Sequence, residues 1–471
     1  MSNKKYNLVF DQGGHATRAI LFDNGSNILK HYESPIATQQ IGELIVEHDA
    51  NELITSFHSV LDQLYSDLGY SFKNIESMGM ATQRSSFVCW DKLSGEALTP
   101  VISWQDRRTL NELDKYQKHM NEIHQKTGLY LNSHYGASKM RWCLDNLENV
   151  IQAKQQNRLC IGPLSSYVLF HLLQNSPFVV DPANASRTLM MDYKSLRWDE
   201  GLCNLFGISQ NLLPEIKASK SNYGQLIWQN HKIPMHLCTG DQSAAAFGNG
   251  KPHKERIYIN TGTGAFIQNI GDDVPDMNNS RLLASVVFTS DSEKIYALEG
   301  TVNGAGRALQ WLSDKTGIVG YEKELDDWCE QYSSPTIFLN GISGVGSPFW
   351  VADFESYFVN NDISDQEKFV AVLESIVFLI YSNVKTMLEQ KPIIEKISIS
   401  GGVAKSNALC QKLADLSGLI IERDEQSEAT AKGVQYLMKG NTTNNRGVSL
   451  FHPERGRCID ERFMNWLKKM L

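Results

Sequence analysis

Two glycine turns, half a chain apart and each set between apolar strands, constrain this sequence more than any other feature. The first reads Asn7-Leu8-Val9-Phe10-Asp11-Gln12-Gly13-Gly14-His15-Ala16-Thr17-Arg18-Ala19-Ile20-Leu21-Phe22-Asp23. Apolar alternation on both sides predicts two half-buried strands, and adjacent glycines permit the positive φ of a tight turn. A turn without β-carbons can bring backbone N–H groups against phosphate oxygens, and Asp11 beside it can hold a hydrated Mg²⁺. Taken alone, most acid-glycine turns of this kind are ordinary hairpins.

The chain repeats the device at Ile257-Tyr258-Ile259-Asn260-Thr261-Gly262-Thr263-Gly264-Ala265-Phe266-Ile267. Two such hairpins are what a duplicated nucleotide-binding architecture requires, one on each side of the phosphates. A third glycine turn, Ile397-Ser398-Ile399-Ser400-Gly401-Gly402-Val403, precedes an amphipathic helix from Asn407 to Leu416. A strand ending in Gly-Gly before a helix suits an adenine or a phosphate. It is not a dinucleotide fingerprint, because the later glycine and the downstream acid are missing. Together the turns predict an ATP site between two related α/β domains.

A chain of 471 residues has room for two such domains. The net charge of −8 argues against a nucleic-acid partner. Eight scattered cysteines show no paired ligand spacing and read as buried thiols in a reducing cytoplasm. No leader is expected before the first strand, and the longest apolar run, Ile376 to Tyr381, is too short to span a membrane. The segment Gly248-Asn249-Gly250-Lys251-Pro252-His253-Lys254 marks the expected boundary, dividing the chain into 1–247 and 248–471. Apolar periodicity places the longest helix over Ser364 to Glu389.

Phosphoryl transfer also needs a carboxylate to orient the acceptor hydroxyl. Asp241, in Thr239-Gly240-Asp241-Gln242-Ser243-Ala244-Ala245, stands at the start of an alanine-rich helix just before the boundary. The same acid also fits a helix N-cap. Convergent donors for a polar acceptor are offered by Gln83-Arg84-Ser85-Ser86 and Trp104-Gln105-Asp106-Arg107-Arg108, with His134-Tyr135 as a further wall.

The chain resembles the FGGY carbohydrate kinases, and within them the glycerol-kinase branch. The likeness runs through Asp11-Gln12-Gly13, Gln83-Arg84, Trp104-Gln105-Asp106-Arg107-Arg108 and Lys139-Met140-Arg141-Trp142. It continues through Asn184-Ala185-Ser186-Arg187-Thr188, Gly240-Asp241-Gln242, Gly262-Thr263-Gly264, Ala297-Leu298-Glu299-Gly300 and Ser400-Gly401-Gly402. The resemblance implies two actin-like (ribonuclease H-like) ATPase domains and an ATP- and Mg²⁺-dependent kinase acting on a small polyol or sugar. By the same resemblance Asp241 is the catalytic base, and Asp11 and Asp241 are the metal-associated acids. Gly13, Gly14, His15, Thr17, Arg18, Gly262, Thr263, Gly264, Gly306, Gln310, Gly402 and Ser406 fall at nucleotide positions. Arg84, Ser85, Trp104, His134, Tyr135, Asp241, Gln242 and Phe266 fall at acceptor positions. A homodimer is left open as the assembly.

The departures are as informative. Members of that branch carry two Thr where Gly14 and His15 stand, a Glu where Ser85 stands and a Tyr where His134 stands. The Asp before the adenine-side Gly-Gly is Ser400 here, and the adenine-contacting Asn aligns with Ser406. A pocket that loses a carboxylate leaves the hydroxyls of glycerol under-satisfied. The expected function is therefore a polyol or sugar kinase whose acceptor need not be glycerol. Glycerol kinase proper and a non-catalytic nucleotide or sugar sensor are the alternatives.

Overall fold

The computed structural model describes residues 5–351, 353–391, 393–424, 428–441, 447–454 and 459–471. Cys458 lies outside them, and the other seven cysteines are buried free thiols.

The first sheet holds β1 (Tyr6–Gln12), β2 (Ala16–Asp23), β3 (Ile28–Pro35), β4 (Ile75–Thr82), β5 (Lys220–Trp228) and β6 (His231–Gly240), in the order β5-β6-β4-β1-β2-β3. The second holds β7 (Arg256–Thr261), β8 (Ala265–Gly271), β9 (Leu283–Thr289), β10 (Lys294–Val302), β11 (Lys396–Gly401), β12 (Ile420–Asp424) and β13 (Val448–Phe451). Its order is β9-β10-β8-β7-β11-β12-β13. Each sheet contains an antiparallel meander whose first strand pairs in parallel with a later strand, itself parallel to another. In the first this runs β3-β2-β1-β4-β6, and in the second β10-β8-β7-β11-β12. The duplication inferred from two hairpins is thus a duplication of whole sheets.

Helices cover both faces. The first, α1 (Ala50–Leu68), starts at Asp49, whose Oδ1 accepts the N–H groups of Asn51 and Glu52, each at 2.8 Å. It packs Phe57 and its apolar neighbours against Leu8 and Phe10 of β1. The helix α2 (Asp241–Ala245) follows β6, and α3 (Gly306–Thr316) follows β10. Next, α4 (Asp365–Gln390) is capped by Ser364, as the periodicity predicted to within a residue. Among the described residues it is the one helix long and apolar enough to cross a membrane, but its apolar stretch is 83% buried inside the protein. It forms the centre of the second core, with α5 (Asn407–Ser417) against it.

The last of these helices, α6 (Ala429–Lys439), returns to the first sheet and packs on β1, β4 and α2. Val9, Ile20 and Phe22 on the opposite face of the β1–β2 hairpin meet Ala431, Val434 and Leu437 there, with Phe247, Val287 and Ala297 in the same cluster. Strands predicted to be half-buried are therefore buried on both faces, because a helix from each half of the chain covers one face. At the crossing, a β-carbon on Gly433 would lie 1.7 Å from the carbonyl oxygen of Ala244, so only glycine lets the two helices touch. Deeper in this seam Arg187 forms a buried ion pair with Glu299 of β10 (3.2 Å) and donates to Ser285 Oγ of β9 (2.7 Å).

Glycine does a different job in the turns from the one expected. Of the glycines in all three, Gly401 alone has a positive φ (102°). At Gly264 the need is closeness, since a β-carbon would sit 2.7 Å from the Val302 carbonyl oxygen. At Gly14 and Gly262 a β-carbon would meet nothing within 4 Å, so these glycines border open space.

The seam yields a stability prediction. Gly433→Val should lower stability by about 3 kcal/mol, the upper part of the usual overpacking range, because backbone must move. Urea unfolding measures this, and a midpoint equal to that of the wild type would contradict the helix contact.

Candidate active site

Three parallel strands of the first sheet, β1, β4 and β6, end side by side: Gln12 and Gly240 both lie opposite Thr82. Ligands of open α/β sheets bind beyond such carboxyl ends. There the chain places Asp11 to Gly13, then Gln83 and Arg84, then Asp241. Gln83 N–H donates to the Gln12 carbonyl at 2.8 Å and fixes the ends together. A β-carbon on Gly240 would lie 2.5 Å from Arg84 Cγ and Cδ, so glycine there lets Arg84 lie across the strand end. The Arg84 Nε comes to 3.8 Å from Asp241 Oδ1. Gly240 is the cap of α2 and Asp241 its first residue, so the N-cap alternative gives way. Asp241 Oδ1 accepts the Gln242 N–H at 2.6 Å.

Burial raises the pKa of Asp241, while Arg84 and the Gln242 N–H pull it down. Asp11 is raised from 3.8 to about 7, first by burial and next by the charge of Asp241. Arg18, 3.8 Å from Asp11 and bonded to Glu33 at 2.7 Å, opposes that rise. The charge of Glu428, which precedes α6, adds to it. A buried carboxyl group raised by the charge of a second carboxylate is one that a divalent cation would favour in its ionised form. No group of three metal-ligating side chains occurs among the described residues.

On the acceptor side, Trp104 meets His134 edge-on at 5.3 Å between ring centroids, and His134 meets Tyr135 at 5.2 Å. Burial and the charges of Lys139, Arg187 and Arg84 hold His134 neutral, with its pKa down at about 3. Lys139 is fully buried and donates to the carbonyls of Ser103 (2.9 Å), Asp106 (3.4 Å) and His134 (3.2 Å), tying both aromatic segments together. Ser85 stands at φ 66° with its Oγ buried and unpartnered. Ser86 Oγ accepts the Trp104 N–H at 3.0 Å. Phe266 on β8 pairs with Thr301 and shares a face with Gln268, whose Nε2 donates to Glu299 at 2.9 Å. Arg108 turns away from this wall and pairs with Asp106 and Glu47.

In the second half, the N–H groups of Ala305 and Arg307 donate to the Thr263 carbonyl, and that of Gly306 to Gly262. A β-carbon on Gly306 would lie 2.7 Å from the Gly262 carbonyl oxygen, which sets the second turn against the start of α3. Thr261 Oγ1 donates to the Ser400 carbonyl (3.0 Å) and accepts the Ala404 N–H (2.9 Å), joining the third turn to the second. Gln310 lies on the exposed side of α3, bonded to Asp314 at 2.8 Å. A β-carbon on Gly402 would meet nothing within 4 Å.

Two side chains expected at the nucleotide are occupied elsewhere. Thr17 Oγ1 is buried against Ser56 Oγ of α1 at 2.7 Å, so this hydroxyl belongs to the core. Ser406 caps α5 and donates to Asp326 at 2.6 Å. His15 is exposed, and its carbonyl accepts the Ile36 N–H at 2.8 Å. Conversely, sequence reasoning assigned no role to Glu428, Lys139, Arg187 or Glu299. The last three stand in motifs noted for resemblance, and only the fold shows that Arg187 and Glu299 meet.

Comparison with known proteins fits this geometry. Residues 6–248 match the N-terminal domain of the FGGY family of carbohydrate kinases, and residues 257–438 match its C-terminal domain. The chain belongs to the FGGY family of carbohydrate kinases. It is 30% identical over 490 aligned residues to a glycerol kinase of Streptococcus sanguinis, covering 100% of this chain and 97% of that one. Its fold resembles the crystal structure of Plasmodium falciparum glycerol kinase with ADP (TM-score 0.88, 24% identity, 99% and 97% of the two chains). It also resembles a gluconate kinase from Lactobacillus acidophilus (TM-score 0.83, 19% identity, 99% and 96%). The architecture is the two-domain, actin-like FGGY fold, and this FGGY member is a phosphotransferase with an alcohol group as acceptor. Kinases of this family use ATP.

The raised pKa of Asp11 carries a sign. Between 3.8 and about 7 the folded state holds a proton on this group that the unfolded state has released. This group's contribution to stability therefore falls as pH rises through that window and is least favourable above about pH 7. Mg²⁺ should raise the melting temperature more at pH 8 than at pH 5.5, and Asp11→Asn should abolish the difference. Equal Mg²⁺ shifts at both pH values in the wild type would count against a cation beside Asp11.

Proposed function

We propose that this FGGY kinase transfers the γ-phosphoryl group of ATP to a hydroxyl of a small polyol or sugar-like acceptor, with Asp241 as the base. The observation that supports this most directly is the position of Asp241, at the end of β6 beside Arg84 and within electrostatic reach of Asp11. In this reading Arg84 and Asp241 orient the acceptor hydroxyl, Trp104, His134 and Tyr135 wall the pocket, and Gln242 and Phe266 complete it. Asp241 takes the hydroxyl proton late, as a carboxylate does in a loose phosphoryl-transfer transition state. Asp11 and Asp241 would hold Mg²⁺, which when bound would supply positive charge to offset that on the transferring phosphate. The Gly13 and Gly262 N–H groups already donate to the Ala16 and Gly264 carbonyls, so the N–H groups of Gly14, Thr263 and Gly264 receive the phosphate oxygens. Residues 1–247 then supply the acceptor pocket, the base and one phosphate turn, and residues 248–471 the second phosphate turn and the adenine site. Buried, unpaired thiols suit a cytoplasmic enzyme.

Ser85 and His134 set this pocket apart from that of a glycerol-specific enzyme. A short hydroxyl replaces a carboxylate, and a neutral imidazole replaces a phenol.

Asp241→Asn should lower kcat by about 10²–10⁴-fold, the usual range for a general base, while the KM for ATP changes little. Steady-state kinetics with a coupled ADP assay reads both. Unchanged turnover in this variant would remove Asp241 from the mechanism.

A further inference from the structure

The charges around the pocket bear on which acceptor it holds. The Arg84 side chain is 9% exposed, and its guanidinium makes no hydrogen bond to any described residue. Its nearest carboxylate oxygen, on Asp241, is 3.8 Å away. Burial, reinforced by the charge of Arg187, pulls the Arg84 pKa down to about 10. Arg187 directs Nη2 to Ser285 and Glu299, and its Nε is buried without a partner. Glu299 offers little to a ligand, because Arg187, Ser285 and Gln268 already take its oxygens. At His134 the cations Lys139, Arg187 and Arg84 act together against the single anion Glu299. The donors left without an acceptor here are thus the Arg84 guanidinium and the Arg187 Nε.

A nearly buried guanidinium whose N–H groups make no hydrogen bond is costly, and a carboxylate satisfies two of its N–H groups at once in a planar fork. A neutral polyol offers hydroxyl oxygens, whose bonds to a cation are single and carry no counter-charge.

We propose that the acceptor is a small polyhydroxylated carboxylic acid whose carboxylate is received by Arg84 while one of its hydroxyls faces Asp241. This rests on the kinase reading above and narrows its substrate class. The acceptor hydroxyl oxygen forms the new bond to the γ-phosphorus of ATP as the bond to the β,γ-bridging oxygen breaks. ADP leaves with that electron pair, and the hydroxyl proton passes to Asp241.

The test compares acids with polyols of equal carbon count: glycerate with glycerol, erythronate with erythritol, gluconate with glucitol. ATP-dependent phosphorylation is measured on the wild type, and calorimetric binding on Asp241→Asn. At least one acid should exceed its matched polyol in kcat/KM by about tenfold or more, the worth of one charge-assisted bond. Ser85→Glu, which puts a carboxylate beside Arg84, should erase that preference, and Arg84→Gln should do the same. Polyols outperforming their acids in every pair, with ordinary turnover, overturns the acid assignment and leaves the kinase reading intact. Tighter binding of an acid than of its polyol, without turnover of any acceptor, supports the acid assignment and overturns the catalytic reading. Equal binding and equal turnover of acid and polyol also overturns the acid assignment.

Discussion

The close approach of α6 to α2 is the constraint on which the rest of the molecule depends. α2 begins with Asp241, and α6 belongs by sequence to the other half of the chain. Their backbones touch at Gly433 and Ala244, and no β-carbon fits at Gly433. The position of Asp241 is therefore set by a surface that the first half cannot make alone. The apolar seam around Val9, Phe247 and Val434 supplies hydrophobic burial, and Arg187 with Glu299 adds a polar clamp. Breaking such a buried pair from one side leaves an uncompensated charge, which costs about 3–5 kcal/mol. The seam and the site are parts of one packing arrangement.

That arrangement also explains the electrostatics. Strand ends β1 and β6 carry acids, and β4 between them carries Arg84. Parallel pairing brings these ends level, so Asp11 feels the charge of Asp241 while Arg84 offsets that of Asp241. A fold that buries two interacting carboxylates loses stability at neutral pH unless a cation or a donor answers them. The protein keeps Arg18 and Arg84 close but not bonded to these acids, each at 3.8 Å. Full ion pairing would stabilise the apoprotein and leave the carboxylates less free for the metal and acceptor proposed for them.

Much of this was legible in the sequence, for reasons that can be named. Hairpins are local, so the two turns and their apolar strands announce themselves within about 17 residues. Asp241 is legible because a glycine, an acid and an alanine run share a short window. Thr17 misleads for the same reason: strand alternation says which face a residue takes, but not that Ser56 of α1 waits there. Ser406 likewise looks free in sequence and is taken up by Asp326, some 80 residues away. Arg187, Glu299, Lys139 and Glu428 could not be assigned, since their partners or neighbours are brought together by tertiary packing. The half-buried strands were misjudged because the covering helix α6 arrives from more than 400 residues downstream of β1.

The glycines of the turns sharpen the last step. Glycine at positive φ relieves backbone strain, and Gly401 fits that account. Gly264 and Gly306 instead permit close approach, since a β-carbon on either would collide with a carbonyl 2.7 Å away. Gly14 and Gly262 need neither, because a β-carbon on them would point into open space with φ already ordinary. Backbone geometry and internal packing leave these two positions unconstrained, as they do Gly402 of the third turn, so the absence of a side chain there serves whatever fills the space beside them. They sit on the two symmetry-related hairpins, one in each half. The residues that internal packing explains least are therefore those where a phosphate chain between the halves would need bare backbone.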